Sequence, residues 1–510
     1  MLNIATTNDA GTLKQVALLQ EQEINRLRLR VREQERELLK LKGLTPSELQ
    51  MRLEKIELEL LARNKALFGT STEKRPARGE ESPKDKEPQT GHGPREQKQL
   101  ELIEETHELK GKTCCESCNK PLCEWENQDD ESEEITLVER RFVLVKHKRK
   151  KYRCECPKRI TMAPVDPRLV PGGRYSTKFA VEVAGAKYLD HMPLERQVEI
   201  MAREGLATDS QTLWDQLWAL SQKLMPTYEA VLKRVLAAPV IFADETTWNM
   251  LRMKKTDPKP PKHYAWAVAS PDAVFMKIVG SRAGAVAEEL IGTYSGTVMA
   301  DGYDVYDARA AARKTGPPLR IAHCWAHVRR KFIECEPKFG PECAVIIELI
   351  RKLYAVERQL PSIFDPMTRA TRTLLKKRQA LRQRESKKII ADIEEWAKEA
   401  AAGCLPQSAL RLAINYMNGQ WKGLTLFLDD PNLPLDNNHA ERALRALCVG
   451  RKNHYGSRSQ RGLEVAAVFY TLLGTAKLAG VEPKSYVLEA TRRALAGEPV
   501  LLPHEMNAAA

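Results

Sequence analysis

At 510 residues the chain is longer than one hydrophobic core usually serves, and 43% hydrophobic residues suffice for packed globular units. Its 81 Lys and Arg against 68 Asp and Glu leave a formal charge of +13, which favours a polyanionic partner without separating DNA from RNA or anionic lipid. No apolar run approaches a membrane span, "MLNIATTNDAG" has neither a basic n-region nor an apolar h-region, and 11 cysteines, an odd number, suit no disulfide framework, so a cytoplasmic protein with reduced thiols and some metal binding is expected.

The first predicted element is a helix over residues 12–42 with a seven-residue repeat. Ala17, Ile24, Val31 and Leu38 fall at one seam position, and Leu13, Leu27 and Leu41 at the other, where Gln20 and Gln34 interrupt. Such a seam pairs with another helix, either of a second copy, making a homo-oligomer, or of its own chain. After Gly43, "TPSE" (45–48) supplies a cap, a first-turn proline and a capping glutamate for a second helix to about Leu67. Coiled-coil helices are thus expected over 1–72. Residues 73–98 hold almost no apolar side chain and read as a flexible linker.

Residues 99–165 carry "CCESC" (114–118) and "CEC" (154–156). Two close cysteine pairs on β-like segments suit a small zinc-binding β module, with Cys115, Cys118, Cys154 and Cys156 as thiolate ligands of Zn2+. Cys114, Cys123 and His107 are substitutes, and buried free cysteines are the ordinary alternative. The stretch "RFVLVKHKRKKYR" before the second pair reads as a basic strand, either a solvated edge or one lying along a phosphate backbone. Residues 166–237 read as helical. "PLERQVEIMAREG", "LATDS" and "QTLWDQLWALSQKL" follow helix-turn-helix grammar, with Gly205 ending the first helix and Asp209 or Ser210 capping the second. This is the expected helical DNA-binding region.

From residue 238 the period changes. "APVIFADETTW" predicts a short buried strand that stops at Asp244. "HYAWAVAS" (263–270) and "AVFMKIVG" (273–280) predict a hairpin across Pro271 and Asp272, and "RAGAVAEELIG" (282–292) a helix. "GTVMADGYDVY" (296–306) predicts another buried strand ending at Asp301 and a glycine. "LRIAHCWAHVRRKF" (319–332) predicts a short strand running into a basic helix. Residues of about 340–428 are helix-rich and read as an insertion. They are followed by "LDNNHAERALR" (435–445), where Glu441 stands alone among asparagine, arginine and histidine. Glu441 and Arg445 are spaced as an ordinary helix-surface ion pair, which is the plain alternative to a metal-holding role.

This order of strands and helices resembles the ribonuclease H-like fold of polynucleotidyl transferases. "ADETTWNML", "ADGYDVYD", "HCWAHVRRKF", "DNNHAERALR" and "GRKNHYGS" together look like the insertion-sequence-66 family of bacterial DDE transposases. "LFGTSTEK", "KYRCEC", "YLDHMPLERQ" and "TAKLAGVEP" match the same family, so the resemblance covers nearly the whole chain. The family commonly has a wider second cysteine pair than "CEC". The resemblance implies a catalytic domain over 238–475 that contains the helical insertion, and a C-terminal helical tail over 476–510.

It also implies a first and a fourth strand lying side by side, so that Asp244 and Asp301 meet at one metal site, with Glu441 from a later helix as the third carboxylate. Two Mg2+ (or Mn2+) ions are then implied, Asp244 bridging both, Asp301 on one and Glu441 on the other. Hydrolysis would cut at the transposon end, and the freed 3′-hydroxyl would attack the target strand with no covalent enzyme intermediate.

Glu245, Asp304 and Asp307 are expected in supporting roles. Arg442, Arg445, Arg451, Lys452 and Arg458 read as phosphate contacts, with a solvated basic face as the alternative. His323, Cys324 and His327 are spaced for a second metal site, but DNA contact or packing is the favoured reading. Double-stranded DNA, as terminal repeats and target, is the implied partner, together with a homo-oligomer and small companion proteins of the element; no membrane is implied. The rival readings are a non-catalytic zinc-containing DNA-binding regulator and a nuclease of the same fold.

Overall fold

The computed structural model describes residues 142–148, 151–153, 160–162, 167–251, 262–302, 304–313, 318–364 and 371–506. The expected N-terminal helices, the linker and all four expected zinc cysteines lie outside these residues. Of the basic stretch read as one strand, only β1 (Lys151–Arg153) forms a ladder, antiparallel to β2 (Ile160–Met162). Residues 142–148 are irregular; Val143, Leu144 and Val145 are all exposed, so the run lacks the alternating burial of a half-covered strand.

Four helices follow: α1 (Thr177–Tyr188), α2 (Leu194–Arg203), α3 (Ser210–Lys223) and α4 (Met225–Leu236). Each boundary has a local cause. Ser176 caps α1 by accepting the Phe179 N–H, and Asp209 caps α3 by accepting the Thr212 N–H at 2.7 Å. Gly205, at φ +84°, makes the reversal between α2 and α3. Leu213, Leu217 and Leu220 line one face of α3 and are fully buried, while Gln211, Asp215 and Gln222 on that helix are exposed.

The sheet is built from β3 (Val240–Trp248), β4 (His263–Ala269), β5 (Val274–Val279), β6 (Thr297–Ala300) and β7 (Arg320–His323), in the order β5-β4-β3-β6-β7. β3, β4 and β5 are antiparallel neighbours; β3–β6 and β6–β7 are parallel. The first and fourth strands of the sheet are thus side by side. Two helices complete the α/β alternation: α5 (Gly284–Ile291), then α6 (Asp304–Ala312).

β3 does not stop at Asp244. Its pairing with β6 ends at Phe242↔Met299, but its ladder with β4 continues to Trp248↔His263. The strand outlasts one neighbour because the other is longer. Likewise the residues after Asp301 turn at Gly302 and enter α6 instead of prolonging β6.

After α7 (Trp325–Cys335) come α8 (Gly340–Glu357), α9 (Arg372–Leu381), α10 (Lys387–Ala402), α11 (Ala409–Gly419) and α12 (Trp421–Thr425). A π-helical turn, Arg382–Ser386, joins α9 to α10. The chain then returns to the sheet through α13 (Asn438–His454) and α14 (Gln460–Leu478), and ends in α15 (Pro483–Ala496) and α16 (Pro503–Met506).

α14 is buried along most of its length and covers the outer edge of β5. Thr471 Oγ1 accepts the Met276 N–H at 2.9 Å, and Thr475 Oγ1 accepts the Val274 N–H at 3.1 Å. Two hydroxyls one helical turn apart thereby satisfy backbone donors that an edge strand leaves open. One continuous hydrophobic core includes α1, α3, α4, the sheet and α14. The expected borders at 237/238 and 475/476 therefore separate no cores, and the second falls inside α14. Among the described residues no single helix is long and apolar enough to cross a membrane.

Candidate active site

Val240, Ile241, Phe242 and Ala243 are buried, which seats the first half of β3 in the core. Asp244 lies two residues beyond the last β6 pair, Phe242↔Met299, and so sits at the carboxyl ends of the parallel strands, where α/β sheets bind ligands. One oxygen accepts the Glu245 N–H at 2.8 Å. Burial, reinforced by the charges of Asp301, Glu245 and Glu441, pushes the Asp244 carboxyl up to about 8.

Asp301 directly follows β6. Its carbonyl accepts the Tyr416 hydroxyl at 3.0 Å from α11. The next residue, Gly302, has φ +91°, and a Cβ there would lie 2.2 Å from Gln420 Nε2. Only glycine allows the turn that takes the chain from Asp301 into α6.

Glu441 lies in the first turn of α13, and two preceding or adjoining side chains set that turn on the sheet. Asn437 is fully buried; its Nδ2 donates to the Ala243 carbonyl at 2.8 Å and its backbone N–H to Cys324 Sγ at 3.2 Å. His439 donates from Nε2 to the Ser270 carbonyl at 2.7 Å, and its ring stacks on Phe364 with centroids 4.6 Å apart. The Glu441 carboxylate is partly exposed, and its Oε1 has no hydrogen-bond partner among the described residues.

The structure thus brings Asp301 and Glu441 each within electrostatic reach of Asp244. The neighbouring Glu245 also acts on Asp244, but its buried carboxylate is bound by Arg282 at 2.6 Å, with Tyr306 beside it. Asp307 Oδ1 faces His323 Nε2 at 3.4 Å, and His327 Nε2 lies 3.8 Å from Glu441 Oε1. The two histidines of "HCWAH" therefore serve different partners.

Cys324, His327 and Glu441 offer ligand atoms within 4.8 Å of one another, a second arrangement that could hold a metal. Burial pushes the Cys324 thiol up to about 12, and that side chain is fully enclosed. His327 and Glu441 are the partly exposed members of that set.

The expected phosphate contacts divide. Arg442, Arg445, Lys452 and Arg458 are exposed. Arg442 Nε donates back to the Asn438 carbonyl at 3.1 Å. Arg451 instead binds Thr247, through its carbonyl and through Oγ1 at 2.9 Å, and so ties α13 to the outer half of β3. Sequence reasoning assigned no role to Asn437, His439 or Tyr416. The first two sit inside the quoted "DNNHAER" motif, which is the signal that could have found them. Tyr416 has no such signal.

Two acids stand at the carboxyl ends of neighbouring parallel strands, and a third lies in the first turn of a helix that exposes arginines, on an α/β scaffold. The chain belongs to the Transposase IS66 family, whose model matches residues 172–465. Three proteins of Sinorhizobium fredii are similar to it. Uncharacterized protein y4jD is 29% identical over 72% of this chain and 73% of its own. Uncharacterized protein y4hP is 28% identical over 74% and 70%, and uncharacterized protein y4qI 30% identical over 78% and 74%. Family membership gives the chain a transposase role, DNA as its partner and the divalent-metal chemistry of DDE enzymes.

Proposed function

We propose that this protein cleaves DNA strands at insertion-sequence ends and transfers them to target DNA, with Asp244, Asp301 and Glu441 as the metal-holding carboxylates. The observation that carries the reading is Asp244 itself. Two acids distant in sequence, Asp301 and Glu441, both press on its charge. That crowding suits a cation, and three hard oxygen donors suit Mg2+ or Mn2+. Glu441 Oε1, which accepts no hydrogen bond among the described residues, fits the same role. The five-stranded order and the parallel β3–β6 pair support the ribonuclease H-like assignment.

A divalent cation bound there supplies positive charge to the attacked phosphodiester and lowers the pKa of its nucleophile. The protein's own groups do the rest. Asn437 and His439 hold Glu441 in place, Gly302 turns Asp301 into the site, and Arg282 offsets the charge of Glu245 beside it. Arg442, Arg445, Lys452 and Arg458 receive the phosphates on either side. Outside the described residues, Cys115, Cys118, Cys154 and Cys156 hold zinc in a module that helps bind the ends. The heptad seam near the N-terminus brings copies together so that two ends can be paired. The working compartment is the cytoplasm.

The test is strand cleavage and transfer by the full chain on plasmid DNA carrying the sequences that flank its reading frame, with Mg2+ or Mn2+. Glu441→Gln, Asp244→Asn and Asp301→Asn should each lose at least about a hundredfold in cleavage while retaining end binding. Double variants should be little worse than single ones, because the carboxylates act as a unit. A Glu441→Gln protein that cuts at the wild-type rate would return Glu441 to a surface helix residue.

A further inference from the structure

A second feature lies along β3 from the acids. A cleft of about 590 Å³ opens where α1, α3 and the turn between α13 and α14 meet the end of β3. Trp248 lies against it, nearly fully buried, its indole N–H donating to Ser457 Oγ at 3.1 Å. Trp214 of α3 forms a wall and is partly exposed. Tyr455 stands on the rim. It is 68% exposed, and its backbone is left-handed, with φ +65° and ψ −15°. A large aromatic side chain gains nothing from folding when most of it faces water, and a non-glycine residue in that region is strained. Such an outlier points to a use.

The lining carries two cations, Lys187 and Arg458, and one carboxylate, Glu195. Arg458 is exposed on the lining, and Lys187 lies within it, its ammonium 5.7 Å from the Tyr188 ring centroid. Burial pulls the Lys187 ammonium down to about 8, opposed in part by the charge of Glu195, and an adjacent phosphate would act in the same direction as that carboxylate. The size is that of a site for one small planar molecule.

The distance from the acids is also set by the fold. Trp248 follows Asp244 by four strand residues, about 13 Å. Tyr455 follows Glu441 by fourteen residues, about 21 Å along α13. At about 3.4 Å per nucleotide step, the cleft lies on the order of four to six steps from the carboxylates.

We propose that this cleft binds one unpaired nucleobase of a DNA strand held at the active site, stacked between Trp214 and Tyr455 over Trp248, with Lys187 and Arg458 on its phosphates. The proposal rests on the DNA-processing reading of the same molecule. Every base has a π-face, so aromatic walls take an everted base without demanding a sequence, and flanking cations track the backbone. An unpaired base leaving the duplex at a fixed distance from the acids would also set the strand's register there.

The experiment is competition binding by the full chain, in chelator so that the metal site plays no part. The probes are a matched duplex, the same duplex with one extrahelical 2-aminopurine, and free thymidine monophosphate. The wild type should prefer the extrahelical base by about tenfold, the order expected for one stacked base, and should quench its fluorescence. Trp214→Ala and Tyr455→Gly should abolish both the preference and the quenching, while matched-duplex affinity stays within about twofold on that same stacking logic.

Tyr455→Gly separates binding from folding, because glycine relieves the left-handed backbone and should leave the unfolding midpoint unchanged or raised. The inference is overturned if the wild type shows no preference, or if both variants keep it. It is overturned equally if thymidine monophosphate competes as well as the extrahelical probe, which would make this a free-nucleotide site. Loss of cleavage in Asp244→Asn tests the proposed function separately, since base preference in chelator does not depend on it.

Discussion

The surroundings of Asp244 oppose its ionisation. Burial disfavours its ionised form, and Asp301, Glu245 and Glu441 add repulsion; among these, Glu245 is offset by Arg282. Removing the charge while keeping the shape should therefore relieve the metal-free protein. Asp244→Asn in chelator is expected to be at least as stable as the wild type, and up to about 2 kcal/mol more stable, against the usual loss for a buried polar substitution. Magnesium should raise the unfolding midpoint of the wild type, because it binds the folded state, and should do so far less for the variant. Thermal unfolding with and without Mg2+ checks both. A wild-type midpoint indifferent to Mg2+ and Mn2+ would count against a cation at this site. Acid residues were legible as candidates only jointly, from strand order and motif together, because a single carboxylate just past a buried run ordinarily caps a strand or a turn. Their mutual distances were not, since they depend on the β3–β6 pairing and on the docking of α13.

At the scale of elements, α13 is the part whose placement matters most, and the helical insertion helps to fix it. Arg382, in the π-helical turn between α9 and α10, is fully buried. Its Nε and Nη2 donate to Glu357 at 2.7 and 2.8 Å, and its nitrogens also donate to the carbonyls of Phe427, Asp430 and Leu433. Those carbonyls belong to the segment that leads into Asn437 and Glu441. Arg382→Met fills similar space but leaves the carbonyls without a donor and takes from Glu357 the shorter of its two arginine contacts, Arg378 Nε lying at 3.6 Å. It should cost about 3–5 kcal/mol, measured by denaturant unfolding. A loss below about 1 kcal/mol would mean that the cluster is dispensable, on the scale of ordinary surface changes. From the sequence the insertion shows only as helical periodicity. An arginine in a polar run reads as solvated until the chain folds over it, which is why Arg382 gave no signal. Arg451 is a parallel case: it was grouped with the phosphate contacts by its neighbours, yet it binds Thr247 of β3.

Across the whole molecule, the charge of +13 makes DNA affinity depend on salt. Arg445, exposed on α13 one turn beyond Glu441, should contribute as a phosphate contact. Arg445→Ala is expected to weaken duplex binding and to reduce the slope of log affinity against log salt by about one. Titrations at several salt concentrations measure it, and an unchanged slope would place Arg445 away from the backbone. The sequence alone determined which segments alternate or repeat, where helices start and stop, which residue types the chemistry needs and which family the motifs resemble. Those properties are local, because hydrophobic period, caps and turn residues act over a few neighbours. Tertiary structure alone decided that β3 outlasts β6, that His323 and His327 part company, and that one core runs beneath the helices and the sheet. It also decided that Trp214, Trp248 and Tyr455 share a cleft. A period reports which face of an element is apolar, but not what lies across from it; the partner is chosen by long-range pairing and packing, which no short stretch of sequence encodes.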